Sequence, residues 1–204
     1  YHVRFLLFVD YEDVDAKTAL SAAFYFLTGL GHESFAVFFV LDGILTGRAL
    51  QRYPPGAAVA RLVGALYRLL LPGLVLGAIF DVMGVRFLNA SGLYTAYPAF
   101  STLTLGYAPL LGNLLMLQPF VVPTFGSNGM LYLVSYLFWS LILVALCARA
   151  AWPRRIVLLA AVAALAPASF LAWASIWLAG IAVAYAGATR AARPPLPVAI
   201  AGFV

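Results

Sequence analysis

Along this chain the apolar positions form long runs, and the polar ones gather at the breaks between them. Residues 16–30 are apolar but short, with aromatics at Phe24, Tyr25 and Phe26, which predicts an interfacial helix. Gly29-Leu30-Gly31-His32 is a break, and Glu33 and Ser34 open the next helix, where a carboxylate suits the positive helix end. Ser34 to Leu50 reads as a first membrane span, closed by Arg48, Gln51, Arg52, Tyr53, Pro54 and Pro55. Leu62 to Phe80, entered through Arg61, is the second. Asp81 to Thr104 is rich in Tyr, Gly, Ser and Thr and predicts an extramembrane loop. Leu105 to Val122 is apolar yet interrupted by Pro109, Gly112, Asn113, Gln118 and Pro119, the pattern of a re-entrant or interfacial segment. Phe125-Gly126-Ser127-Asn128-Gly129 is a turn, with Ser127 and Asn128 in place to cap a helix starting near Met130. Met130 to Ala148 is a strong span; Ile156 to Ala166, which is short, and Phe170 to Ala186 follow, separated by Pro167-Ala168-Ser169.

These runs lack the strict alternation of a membrane β-barrel, so the expected fold is all-α, a polytopic transmembrane helix bundle forming one domain. At about 20 residues per span, the length allows roughly five to seven crossings. Composition agrees: 65% of the 204 residues are apolar and 9% are charged, against about 25% charged in soluble domains. So few charges cannot cover a water-facing surface, and the lipid bilayer is the implied partner. The net charge of +5 does not signal nucleic acid, because the arginines stand at span ends. The groups Arg48/Arg52/Arg61, Arg149/Arg154/Arg155 and Arg190/Arg193 all fall on one side if the chain crosses twice between each pair. The positive-inside rule makes that side cytoplasmic and puts residues 1–33 and 81–129 outside. The chain starts at Tyr1 and ends within an apolar run begun at Leu196, which reads as a fragment of a longer protein.

Charge at membrane depth costs roughly 2.5–3.5 kcal/mol, so candidate chemistry is sought there first. Asp42, beside Gly43, either lines a substrate cavity or is a structural carboxylate, protonated or paired with an arginine. Arg48 and Arg52 share a helix face, as do Arg61 and Arg68. The four either form a basic pocket for a phosphate-bearing ligand, which the guanidinium fork suits, or simply anchor the cytoplasmic side. Ser135 and Tyr136 either face a cavity or bond between helices. Cys147, the single cysteine, sits in an apolar run without metal-ligand neighbours, and no metal site is expected. His2 titrates near neutral pH but carries no signal alone. P-loop, His-Glu-x-x-His and Gly-x-Ser-x-Gly patterns are absent.

Four stretches in order resemble the acyltransferase-3 family of integral membrane O-acyltransferases. Gly31-His32 followed by Val37-Phe38-Phe39-Val40-Leu41-Asp42-Gly43 is similar to that family's Gly-His and Val-x-Phe-Phe-Val-Leu-Ser-Gly. Leu111-Gly112-Asn113-Leu114-Leu115-Met116-Leu117-Gln118 resembles its Gly-Asn-Leu-x-Phe-Leu-Gln. Gly126-Ser127-Asn128-Gly129-Met130-Leu131-Tyr132 resembles its Gly-Ser-Asn-Gly-Pro-Leu-Trp, and Tyr136-Leu137-Phe138-Trp139 its Tyr-Glu-Phe-Trp. The resemblance implies transfer of an acyl group, commonly acetyl, from acyl-CoA (acetyl-CoA) to a hydroxyl of a glycan or lipid-linked saccharide acceptor, by a bundle of about ten helices of which this chain covers the middle. It implies His2 as the catalytic base and Arg48 and Arg52 at the donor's phosphates; beside it, the residues' own chemistry adds Arg61 and Arg68 to the donor site and Asp42, Asn128, Ser135 and Tyr136 as cavity-lining candidates. Asp42, Ile44, Tyr132 and above all Leu137 depart from the family pattern, which also admits a catalytically degenerate member acting in glycan export or binding. A small-molecule transporter would need paired half-helices at the midplane, and only residues 105–122 suggest one.

Overall fold

The computed structural model describes residues 11–15, 17–88 and 104–189. Those residues hold seven α-helices and no strand, the all-α class that the unbroken apolar runs imply. The helices are α1 (Ala19–Gly29), α2 (Gly31–Arg52), α3 (Pro55–Leu88), α4 (Tyr107–Leu114), α5 (Leu131–Arg149), α6 (Trp152–Leu165) and α7 (Ala168–Thr189). Thr18 and Ser21 form a reciprocal capping box at the start of α1.

Three stretches are long and apolar enough to cross a membrane alone: Pro55–Phe87, Leu131–Arg149 and Ala168–Gly187. The expected first span, Ser34 to Leu50, is not among these three. It passes only together with α1, as a pair bent by 43°. The helices long and apolar enough to cross therefore number three among the described residues, or four with the bent pair, against the roughly five to seven expected. Helix α6 has 14 residues, about 21 Å, against a hydrocarbon core of about 30 Å.

The chain divides into two compact units, residues 1–48 with 175–204, and residues 49–174. In the first, α2 and α7 meet through small residues. Gly43 and Gly47 on α2 oppose Gly180 and Ala184 on α7, both pairs spaced by three residues. A Cβ at Gly43 would collide with the Trp177 carbonyl oxygen, and one at Gly180 with that of Val40. Such backbone approach replaces the hydrophobic drive that helices lack in lipid. Phe39 and Trp177 are buried at this crossing.

In the second unit α3 and α5 run antiparallel and are tied at three levels. The Arg149 guanidinium lies against Gly56, where a Cβ would stand 2.9 Å from its Nη2. Tyr67 and Phe138 meet edge-on with ring centroids 6.2 Å apart. At the other end Asp81 accepts from the Ser127 N–H (2.8 Å) and hydroxyl (2.6 Å), just before α5 begins. Val59, Leu66, Leu70, Leu74 and Asp81 form one buried stripe along α3. Leu69, Leu76, Phe80 and Phe87 point outward, as lipid-facing residues do.

This stripe corrects the reading of Asp81 as the start of a loop. Helix α3 continues to Leu88, and Asp81 closes its buried face. Gly56 and Asp81 stand 25 residues apart, about 37 Å along a helix. That exceeds the hydrocarbon thickness, so the carboxylate and Arg149 sit at opposite ends of the helix pair. Gly126 is required beside it: its φ is +70°, and a Cβ would run into Asp81 Oδ2. The remainder of the expected loop, residues 89–103, lies outside the described residues.

Two measurements follow from this packing. Gly43→Leu will lower the thermal unfolding midpoint in detergent, with an overpacking cost of about 1–3 kcal/mol, whereas Gly64→Ala, in open space, will not. In a Cys147→Ala background, Asn128→Cys and Trp152→Cys will react with membrane-impermeant maleimide from opposite sides of sealed vesicles; labelling from one side would refute the antiparallel arrangement.

Candidate functional site

The segment between α3 and α5 folds back into its own unit as a re-entrant hairpin, one of the two forms expected for residues 105–122. Its two arms meet at the mouth, where the Thr104 hydroxyl donates to the Thr124 carbonyl and the Gly126 N–H to the Thr104 carbonyl at 3.2 Å. From there α4 descends. Its last residue, Leu114, accepts from the Tyr67 hydroxyl at 2.8 Å. Tyr67 precedes Asp81 by 14 residues, so the tip lies about 21 Å inward along α3. The arms touch, because a Cβ at Gly112 would overlap the Val122 side chain.

Polar side chains supply the bonds that irregular backbone cannot make at that depth. Asn113, fully buried, donates through Nδ2 to the carbonyls of Pro109 (2.7 Å) and Pro123 (2.9 Å), and its Oδ1 accepts from the Phe125 N–H (3.1 Å). Gln118 Nε2 donates to the Leu131 carbonyl at 3.2 Å. Met116 turns the chain with a φ of +57°, a left-handed conformation that costs a side-chain-bearing residue roughly 1–2 kcal/mol. Its carbonyl is held from α5 by the Ser135 hydroxyl (2.5 Å) and the Trp139 Nε1–H (2.7 Å). The stretches 111–118, 125–132 and 135–139 thus form a single interlocked cluster.

The candidate residues divide accordingly. Ser135 and Tyr136 are buried and bond between segments, Tyr136 to the Ser169 hydroxyl at 2.8 Å. Asp42, in the other unit, accepts from Trp177 Nε1 at 2.8 Å, so its partner is an indole and not an arginine. The expected capping by Ser127 and Asn128 is not what forms. The α5 N-cap is Met130 without a side-chain cap bond; Ser127 is committed to Asp81, Asn128 is exposed, and only its carbonyl engages, accepting from the Leu131 N–H at 3.2 Å. Leu137 is buried. His2 lies outside the described residues.

Of the four expected donor-site arginines, two converge. The Tyr53 ring sits between Arg61 (4.5 Å to its centroid) and Arg52 (5.7 Å), within cation–π reach. Arg149, not singled out for this role in the sequence, approaches the adjacent Gly56. The start of α3 adds its positive dipole end. Arg68 is exposed two turns deeper, about 10 Å from Arg61 along the helix, and is not part of this group. Arg48 belongs to the other unit. Among the described residues no cluster of His, Cys, Asp and Glu is placed to hold a metal.

A groove of about 490 Å³ runs between α5, α6 and the returning arm of the hairpin. Phe120, Trp139, Leu146, Leu158, Val162 and Phe170 are among its predominantly apolar lining. None of Asp42, Asn128, Ser135 and Tyr136 lines it.

Compared with protein-family models, curated proteins and solved structures, the chain matches none.

The hairpin's dependence on Asn113 is testable. Asn113→Leu removes the side-chain bonds to the Pro109 and Pro123 carbonyls and to the Phe125 N–H, each buried group left unpaired costing about 1–3 kcal/mol, and will lower the unfolding midpoint in detergent. Asn113→Asp, which keeps the acceptor for Phe125, will lose less.

Proposed function

We propose that this chain is the central part of a membrane acyltransferase. It moves an acyl group, in the simplest case acetyl, from acyl-CoA to a hydroxyl of a glycan or lipid-linked saccharide in the bacterial inner (plasma) membrane. The observation that carries the reading is that three successive stretches resembling acyltransferase-3 motifs, all within residues 111–139, share one hydrogen-bonded cluster. The donor's phosphates would lie on Arg52, Arg61 and Arg149 around Tyr53. Each guanidinium offers a planar fork to phosphate oxygens, and Tyr53 limits the freedom of two of them. His2 would take the proton of the acceptor hydroxyl as that oxygen attacks the thioester carbonyl and CoA leaves as thiolate.

A second reading, a catalytically degenerate protein of glycan binding or export, draws on one position. Leu137 is 1% exposed, and it stands where the family pattern carries Glu.

Calorimetry of acetyl-CoA with the full-length protein in detergent separates the two. Saturable binding, weakened about tenfold or more (about 1.4 kcal/mol) in Arg52→Ala/Arg61→Ala, supports the transferase. A folded sample without binding supports the degenerate reading, as would acyl transfer appearing only in Leu137→Glu.

A further inference from the structure

We infer that the groove between α5 and α6 is a lipid site, holding one fatty-acyl chain of an anionic phospholipid whose phosphate rests on Arg154. Three observations converge on this occupant, and none depends on the transferase reading.

The first is the groove's chemistry. Its lining is overwhelmingly apolar, and its one polar side-chain group, the Trp139 Nε1–H, is already used on the Met116 carbonyl. Apolar cavities stay dry and take hydrocarbon. The second is length. At about 21 Å, α6 falls short of the hydrocarbon thickness and leaves the flank of α5 for a chain to fill. The third is charge at one end. On α6, Leu158, Ala161 and Leu165 line the groove, and Arg154 stands one turn before Leu158 on the same stripe. A separate shallow hollow lined by Pro153, Arg154, Val157, Leu158 and Ala161 shares Leu158 and Ala161 with the groove.

Within residues 49–174 the end that Arg154 marks has no counter-charge. Across residues 49–174 the only carboxylate side chain is Asp81, bonded to Ser127 at the far end of α3. Arg149 is turned toward Gly56 and Arg155 donates to the Ala150 carbonyl at 3.3 Å. Arg154 is exposed and extends the groove's own stripe. A phosphate brought by the lipid supplies the missing charge, as basic pockets at membrane surfaces do.

The test uses the full chain in phosphatidylcholine nanodiscs doped with phosphatidylglycerol that carries a photoreactive diazirine in one acyl chain. Cross-links should map to Leu146, Leu158 and Ala161. Unlabelled phosphatidylglycerol should compete them away more effectively than phosphatidylcholine. Arg154→Gln should reduce that preference about fivefold, Arg154→Lys should retain it, and Ala161→Trp should abolish groove labelling. Equal competition by the two lipids, or a preference unchanged in Arg154→Gln, would mean ordinary boundary lipid and overturn the site. Absence of groove labelling, as when another protein segment fills it, would overturn it equally.

Discussion

Backbone polar groups inside a bilayer must find partners within the protein, and the hairpin at residues 104–130 is where this protein meets that demand most severely. Regular helices satisfy themselves. A chain that enters, turns and leaves at the same end does not, because its turn breaks the ladder where no water is at hand. Asn113 answers for three backbone groups at once, Ser135 and Trp139 for the Met116 carbonyl, Tyr67 for that of Leu114 and Gln118 for that of Leu131. The placement of α3 against α5 depends on these bonds as much as on side-chain packing, since Tyr67 belongs to one helix and Ser135 to the other.

The two units solve helix association differently. At the α2–α7 crossing, glycines remove the side chains and let the backbones meet. Between α3 and α5, larger groups stay and lock at separate levels: a guanidinium over a glycine, an edge-on aromatic pair, and a carboxylate gripping a turn. Close backbone packing gives contact area without specificity for a polar partner, whereas spaced tie points set register and direction. Near the second set, Phe120, Tyr136 and Phe170 stack mutually at 5.5–5.7 Å, joining the hairpin to the start of α7.

What could be read from the sequence follows how local each signal is. The span at Met130 to Ala148 matches α5 to within a residue at each end because its apolar run is unbroken. The re-entrant character of 105–122 was legible from Pro109, Asn113, Gln118 and Pro119, residues that spoil a simple span. The stitching was not, since the distant partners of Asn113 and Gln118 lie 10 to 13 positions away and the Tyr67 that holds the Leu114 carbonyl lies 47 away. Asp81 misled because a charge after an apolar run resembles an exit from the membrane, and only its bond to Ser127 shows it to be internal. The small-residue faces at Gly43/Gly47 and Gly180/Ala184 were visible as spacing, but nothing local says that α2 and α7 are neighbours. Arg149 joined Arg52 and Arg61 for the same reason: antiparallel pairing, not sequence distance, decides which charges share an end.

The separation of charge along the α3–α5 pair has an electrical consequence. One end gathers Arg52, Arg61, Arg149, Arg154 and Arg155, while at the other Asp81 is offset by Arg86 five residues on, so the unit's net positive charge lies toward one end of the pair. A membrane potential acts on such charge with about 2.3 kcal/mol per elementary charge per 100 mV. With the arginines on the negative side the field holds the pair in place, and inversion would have to carry several charges against it. In an energised membrane, orientation is therefore enforced continuously and not only chosen at insertion.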